Sequence, residues 1–277
     1  MPGCVRHPDR KTGIRCIRCD RPSCPECLRE ASVGYQCVDC VRAGSREVPR
    51  WRTVAGAAPG TRAVVVLGLI AVNVAVYALT AIQAGSLINN DAAPLFRSWA
   101  LQTPQVAAGE WWRLGTAGFL HFGPIHLLFN MLALYVIGRD LELILGRGRF
   151  LSVYLAGLLG GSAAVFVFGS SGVQVAGASG AVFGLMGGLA VVLRRLRHSL
   201  RPAVTLIVVN ILISVSIPGI SLLGHLGGLV VGTAATAVLV YAPRRRQTFW
   251  QAVGIGALIA AVVLVMALHA ITLGTAA

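Results

Sequence analysis

Residues 177–188, GASGAVFGLMGG, and residues 224–232, GHLGGLVVG, decide the fold of this chain. In each stretch glycine recurs at every fourth position, which predicts a helix with one bare face that another backbone can approach closely. The repeating glycines are Gly180, Gly184 and Gly188 in the first stretch and Gly224, Gly228 and Gly232 in the second. Each stripe begins beside a reactive side chain, Ser179 or His225. A hydroxyl and an imidazole brought together can act as nucleophile and general base.

The composition around these stretches is that of a polytopic membrane protein. Of 277 residues, 56% are hydrophobic and only 12% are charged. The apolar residues come in runs of about twenty, the length that crosses ~30 Å of hydrocarbon as a helix. We therefore predict an all-α membrane protein with seven spans. They are 63–84, 114–138, 150–169, 179–193, 203–217, 222–241 and 249–272.

The basic residues alternate with these spans and predict the topology. Of the 24 Lys and Arg residues, 22 lie in four segments on one side, and only Arg97 and Arg113 lie on the other. The four segments are 1–62, 139–149, 194–201 and 244–246. The positive-inside rule then predicts a cytosolic amino terminus and an external carboxy terminus. The first sixty residues lack the apolar core of a signal peptide, which agrees with this orientation. The net charge of +14 follows from topology, so no nucleic-acid partner is expected.

All seven cysteines lie in the first forty residues and form, with one histidine, four pairs with a two-residue gap. The pairs are Cys4 and His7, Cys16 and Cys19, Cys24 and Cys27, and Cys37 and Cys40. Eight such ligands suit two tetrahedral zinc ions, and disulfides are disfavoured in a reducing cytosol. We predict two structural zinc ions in residues 1–40 and a linker at 41–61. Two alternatives for this segment stay open: a single zinc ion beside a degraded second site, and a redox role for the cysteines.

The order of these pairs resembles the B-box and related cross-brace zinc fingers. The resemblance implies that the first and third pairs share one ion and the second and fourth pairs share the other. With every ligand position filled, no open site for metal catalysis remains, so no cofactor for catalysis is expected. A small folded adaptor that binds a cytosolic protein partner is the favoured role.

The second span carries three polar residues, spaced as His121-x4-His126-x3-Asn130. His126 and Asn130 are four residues apart and so share one helix face, where they offer two donors in one direction. The fourth span needs only about 22 Å from Ser179 to its basic anchor Arg194, which is less than a ~30 Å core. Ser179 is therefore expected several ångströms below the outer surface. The backbone of residues 172–178 must enter the membrane non-helically, which requires surrounding protein or water.

Residues 62–241 resemble the rhomboid intramembrane serine proteases. The resemblance rests on five motifs that follow one another on alternating spans. They are Trp112-Arg113, the His121, His126 and Asn130 spacing, Gly138 to Glu142, Gly177-Ala178-Ser179-Gly180, and Gly224-His225 with the glycines after it. The resemblance implies a core of six transmembrane helices, with the seventh span at 249–272 added to it.

The same resemblance implies roles for single residues. Ser179 would be the nucleophile and His225 its base, a dyad without an acidic third member. His126, Asn130 and the Ser179 backbone amide would stabilise the oxyanion, and His121, Gly177 and Gly180 would support the site. Phe183 would pack on the His225 imidazole, and Trp112 with Arg113 would belong to a lateral loop in the outer leaflet.

These inferences lead to a specific functional hypothesis. We expect an intramembrane serine endopeptidase that cleaves transmembrane proteins within or near their spans. The alternative is a catalytically silent rhomboid-like protein that binds transmembrane clients. A transporter would require charged residues at the membrane midplane, and the spans offer almost none. The expected location is a membrane, the cytoplasmic membrane if the source is bacterial.

Overall fold

The computed structural model describes residues 1–47, 52–170 and 172–274. The chain divides into two compact units, residues 1–51 and residues 52–277. The first is small and rich in cysteine, and the second is almost entirely helical.

The first unit is a short hairpin followed by one helix. Strands β1 (Leu28–Glu30) and β2 (Tyr35–Cys37) pair antiparallel, and a 3₁₀ turn, Pro25–Cys27, precedes them. Gly34 turns the hairpin with φ +65°, a conformation that favours glycine. Helix α1, Val38–Glu47, then extends six residues past Val41, where the sequence predicts the linker to begin. Residues 48–51 of the predicted linker lie outside the described residues.

The second unit is built from long helices joined by a loop region of short ones. The long helices include α2 (Val64–Ala84), which agrees closely with its predicted span. The short helices are α3 (Pro94–Trp99), α4 (Thr103–Ala107) and α5 (Arg113–Thr116). The remaining long helices are α6 (Gly123–Leu145), α7 (Arg147–Phe168), α8 (Ser179–Arg195), α9 (Arg201–Ser216), α10 (Leu222–Tyr241) and α11 (Gln247–Gly274).

The prediction of one continuous span over residues 114–138 is wrong. The chain bends by 93° between the segment Arg113–Phe119 and α6. Gly123 has φ +70° and Pro124 stands in the first turn of α6, where its missing N–H costs no hydrogen bond. The helix therefore starts at Gly123 and ends at Leu145, seven residues beyond the predicted end.

The helices differ in whether they are long and apolar enough to cross a membrane. Within the described chain, α2, α7, α10 and α11 are long and apolar enough to cross a membrane, and the bent pair ending in α6 makes a fifth. Helices α8 and α9, with 17 and 16 residues, are shorter. The protein is an integral multi-pass membrane protein, and the predicted total of seven spans stays a prediction.

Helices α7, α8 and α10 form the centre of the unit and meet through glycines. A methyl group on Gly184 of α8 would lie 3.0 Å from the Gly157 Cα of α7 and 3.0 Å from the Gly228 carbonyl oxygen of α10. A methyl group on Gly228 would overlap the backbone of Gly180. The predicted stripes therefore face each other, and α7 adds a third one through Gly157, Gly160 and Gly161.

Candidate active site

Ser179 is the first residue of α8 and follows an irregular segment. Residues 172–178 are non-helical, and the Gly177 N–H donates to the Ala117 carbonyl at 2.9 Å. Gly177 has φ +134°, which side-chain-bearing residues rarely adopt. Ala178, just before the helix, provides no side-chain cap, so the N–H groups of the first turn are free of a capping side chain. A developing negative charge beside Ser179 would meet these N–H groups and the positive end of the helix dipole.

His225 lies in the first turn of α10, where Ser221 caps the helix by accepting from the Gly224 N–H at 3.2 Å. The imidazole is 7% exposed and stacks on the Phe183 ring, with centroids 4.2 Å apart and planes inclined by 14°. Phe183 stands four residues after Ser179, one helical turn further along the same face of α8. The His225 ring therefore lies against the face of α8 on which Ser179 stands.

A serine on α9 forms a hydrogen bond with the Nδ1 atom of this imidazole. The Ser214 Oγ lies 2.6 Å from Nδ1 of His225 and 2.6 Å from the Asn210 carbonyl oxygen. A carbonyl can only accept, so the single Ser214 proton goes to Asn210, and the Ser214 oxygen accepts from the Nδ1–H of His225. A neutral imidazole protonated at Nδ1 has a lone pair on Nε2. This is the tautomer that a general base needs.

The crossing of α8 and α10 brings the two helix starts together. A methyl group on Gly180 would lie 3.3 Å from the Gly224 carbonyl oxygen, so the backbones next to Ser179 and His225 are in contact. Among the described residues no hydrogen bond joins the Ser179 hydroxyl to the His225 ring, whose bond goes to Ser214. Catalytic hydrogen bonds are often long before substrate binds.

His126 lies near Gly177 and Ser179, in the first turn of α6. The Phe122 N–H donates to its Nδ1 at 3.2 Å, so the proton of the neutral ring is on Nε2. A methyl group on Gly177 would lie 3.0 Å from that Nε2 and 3.6 Å from the Ser179 Oγ. Nε2–H is therefore a donor directed to the space around Gly177 and Ser179.

Asn130 is buried one turn further along α6, on the same face as His126. Its Nδ2 donates to the His126 carbonyl at 3.0 Å. An amide nitrogen carries two protons, so one N–H remains for a second acceptor.

His121 precedes α6 and supports this arrangement by packing. It is fully buried, and its ring meets the His126 ring edge to face at 5.2 Å. Its carbonyl accepts from the Nδ2 of Asn90 at 2.9 Å, and the Asn90 Oδ1 accepts from the Gly123 N–H. Asn90 therefore fixes the bend before α6 on both sides.

Trp112 and Arg113 organise the loop between α2 and α6. Arg113 is 6% exposed, pairs with Glu110 at 2.6 Å and donates to the carbonyls of Arg97 and Ala100. Trp112 is exposed, and its Nε1 donates to the Ser98 carbonyl at 3.1 Å. Arg113 thus satisfies backbone carbonyls inside the loop, and its hydrogen bonds give it a structural role.

The cysteine-rich unit contains two groups of four potential metal ligands. One comprises Cys4, His7, Cys24 and Cys27, and the other Cys16, Cys19, Cys37 and Cys40. This is the grouping that the cross-brace resemblance implies. In each group the ligand atoms lie within 4.8 Å of one another, and both groups could hold a metal ion.

Individual distances fit tetrahedral zinc. The Nδ1 of His7 lies 3.4 Å from the sulfurs of Cys24 and Cys27, and the sulfurs of Cys19 and Cys37 are 3.8 Å apart. Zn–S bonds of ~2.3 Å and Zn–N bonds of ~2.0 Å at tetrahedral angles predict about 3.5 and 3.8 Å. In this cluster a hydrogen bond from the Cys24 backbone lowers the pKa of the Cys4 thiol, whereas burial raises the pKa of the Cys27 thiol.

The sequence analysis did not predict two residues that contact the candidate site residues, Ser214 and Asn90. Ser214 is one of several small polar residues in α9, and only its burial and its contact with His225 set it apart. Asn90 stands in a polar loop, although it is completely buried. The sequence does offer one signal for Ser214, because it is a polar residue between apolar neighbours.

Comparison with known proteins supplies independent evidence. The sequence profile of the Rhomboid domain matches residues 108–242. The Rhomboid protease GluP of Bacillus subtilis is 41% identical over 175 residues, which are 61% of this chain and 34% of that protein. The Rhomboid-type serine protease 2 of Emericella nidulans is 31% identical over 143 residues, 50% of this chain and 28% of that protein.

This chain therefore spans about a third of those two relatives. It covers more of a shorter one, the Putative rhomboid protease YdcA of Bacillus subtilis. The identity there is 38% over 147 residues, which are 51% of this chain and 73% of that protein. With Ser179, His225, His126 and Asn130 all inside the matched domain, this chain belongs to the rhomboid family.

Proposed function

We propose that this chain is an intramembrane serine endopeptidase whose nucleophile is Ser179 and whose general base is His225. One observation carries the proposal: two contacts hold the His225 imidazole, the Phe183 ring stacked on its face and the Ser214 oxygen at its Nδ1. The Nδ1 proton is engaged there, so the lone pair of Nε2 is available to a hydroxyl. A weak alcohol nucleophile needs such an adjacent base.

Acylation follows from this arrangement. The Ser179 Oγ attacks the carbonyl carbon of a substrate peptide bond while its proton passes to Nε2 of His225. The tetrahedral intermediate then collapses, the C–N bond breaks, and the proton passes from Nε2 to the leaving amine. An acyl group remains on Ser179.

Three groups are suited to stabilise the oxyanion of the intermediate. The Nε2–H of His126 faces the space between Gly177 and Ser179, and Asn130 has one N–H left on the same helix face. The N–H groups of the first turn of α8 supply the third contribution. Preorganised donors of this kind often provide the largest single part of the rate enhancement.

Deacylation needs water at the buried end of α8. A water molecule loses its proton to Nε2 of His225 and attacks the acyl carbon, and the proton returns to the Ser179 oxygen as the acyl group leaves. The 17 residues of α8 measure about 25 Å, less than the ~30 Å of a hydrocarbon core. We infer that Ser179 lies below the membrane surface and that its substrates are transmembrane proteins. The names of the relatives, proteases and a serine protease, support this reaction class.

We further propose that the two cysteine clusters hold structural zinc. Cys4, His7, Cys24 and Cys27 would bind one ion and Cys16, Cys19, Cys37 and Cys40 the other. When bound, each ion supplies cross-links that a unit with so small a core needs for folding. The charge distribution supports a cytosolic location for this unit, where it could bind a protein partner.

Labelling with a fluorophosphonate probe tests the catalytic proposal. We expect the full-length protein in detergent micelles to become labelled on Ser179, and Ser179→Ala to remain unlabelled at the same melting temperature. The exposed Ser216→Ala is the matched control and should label like the wild type. A well-folded wild type that neither labels nor cleaves a transmembrane substrate would identify a client-binding protein instead.

A further inference from the structure

A cavity lies at the far end of the helices from Ser179 and His225. It has a volume of about 890 Å³ and is lined by the segment before α2 and by the first turns of α7 and α11. Leu239 of α10 also lines it, fourteen residues after His225, which corresponds to about 21 Å along the helix. The cavity is therefore separate from the proposed catalytic site.

The charges around this cavity are strongly unbalanced. Among the residues that the structure describes, four arginines line it, against the one carboxylate of Glu142. The four are Arg52, Arg62, Arg147 and Arg149. Arg52 and Arg149 line the same cavity, where like charges repel. An anion in the cavity would relieve this repulsion.

Among the described residues, the Glu142 carboxylate forms no ion pair with these arginines, and a single negative charge leaves the lining with a positive excess. The two oxygens of Glu142 accept from the N–H groups of Val65 and Val66, at 3.0 and 2.8 Å. Glu142 thus compensates the positive end of α2. The starts of α7 and α11 also line the cavity, and each adds the partial positive charge of a helix amino terminus.

Arg149 is fixed in position by a buried glutamine. The Oε1 of Gln251 accepts from the Nε of Arg149 at 2.7 Å, and the Nε2 of Gln251 donates to the carbonyls of Ala55 and Leu239. Gln251 is 3% exposed. The guanidinium is therefore oriented in advance. Its terminal nitrogens have no hydrogen-bond partner within the described part of the chain, and a fixed fork of donors is well suited to phosphate.

We propose that this cavity binds the phosphate of an anionic phospholipid. The arginines account for the phosphate, and the apolar side chains of Leu143, Leu239 and Ile255 in the same lining account for the adjoining glycerol and acyl carbons. Basic pockets between membrane helices bind lipid head groups through this combination. A soluble phosphate would need the arginines but would gain nothing from the apolar wall.

Lipid retention tests the proposal. The full-length protein is reconstituted in nanodiscs of phosphatidylcholine with a minor fraction of phosphatidylglycerol, and the lipids that stay bound after release are counted by native mass spectrometry. We expect the wild type to retain phosphatidylglycerol and Arg62→Gln/Arg147→Gln to retain at least tenfold less. The control Arg244→Gln/Arg245→Gln removes the same charge from the loop between α10 and α11, outside the cavity, and should behave like the wild type.

A second variant distinguishes a loss of lipid binding from a folding defect. Thr248→Glu puts a carboxylate in the cavity at the start of α11, where a negative charge favours the helix. It should melt no lower than the wild type and still lose the lipid. Equal retention of both lipids by the wild type, or equal losses in the two double variants, would overturn the proposal. Equal thermal protection by inorganic phosphate alone would overturn the assignment to a lipid.

Discussion

The Ser214 hydroxyl accepts a hydrogen bond from Nδ1 of His225 over 2.6 Å, although the two residues lie on different helices and eleven positions apart. Ser214 therefore stands where an acidic third member would stand in a catalytic triad. It brings no charge. Its contribution is to orient the ring and to keep the proton on Nδ1.

Replacing this serine should slow the chemical step without weakening substrate binding. Ser214→Ala removes one hydrogen bond, worth about 1.4 kcal/mol, so we expect kcat to fall roughly tenfold at unchanged KM. Ser214→Thr keeps a hydroxyl and should recover most of the activity. Ser216→Ala, on the exposed face of the same helix, is the control. Normal kcat in Ser214→Ala would show that Phe183 alone positions the imidazole.

Removing an oxyanion donor should have a larger effect. We expect His126→Ala or Asn130→Ala to lower kcat by roughly 10²-fold or more, the range observed for oxyanion-hole residues. Because a fluorophosphonate also needs this stabilisation, its labelling rate should fall as well. Steady-state kinetics on a transmembrane substrate measures kcat and KM separately. An effect confined to KM would mean that these groups hold the substrate in its ground state.

The sequence predicted some of these features better than others, and the difference is physical. The two groups of potential metal ligands stand in a regular local spacing, so the sequence indicates them directly. Ser179 and His225 stand in local motifs as well, and the roles proposed for them come from the resemblance of those motifs to a known family. The contact between Ser214 and His225 depends on how α9 packs on α10, and no periodicity encodes it. The break before α6 was missed because Gly118 to Phe122 are mostly apolar and hydropathy runs through them without interruption. Gly123-Pro124 was the available signal, since it favours a helix start.

Replacing a glycine at the helix contacts by a residue with a side chain should lower both stability and activity. In Gly228→Ala the added methyl group would overlap the backbone of Gly180, and backbone cannot change rotamer to make room. We expect a loss of roughly 1–3 kcal/mol, the scale of overpacking in a core, and reduced turnover. Gly256→Ala is the control, because among the described residues nothing lies within 4 Å of the added methyl group. Melting in detergent distinguishes the two variants.

The cysteine-rich unit should bind two zinc ions and be dispensable for the chemistry. Metal analysis of the isolated residues 1–47 should find two zinc ions per chain, and a chelator should unfold the peptide. Glu30→Gln, outside both clusters, should leave this number unchanged. The chain without residues 1–50 should still react with a serine probe, because every group of the proposed site lies beyond them. Loss of labelling in a truncated chain that remains well folded would reveal a functional connection between the two units.

The glycine contacts among α7, α8 and α10 also bear on how the site moves. Side chains at a helix crossing exchange rotamers on the picosecond to nanosecond timescale, and such exchange lets neighbouring helices shift relative to each other. Where Gly180 meets Gly224 and Gly184 meets Gly228, there are no rotamers to exchange. The backbone spacing between the starts of α8 and α10 can then change only when whole helices move. The backbones that carry Ser179 and His225 are thus set in place when the protein folds, and the side chains of these two residues remain to adjust when a ligand binds.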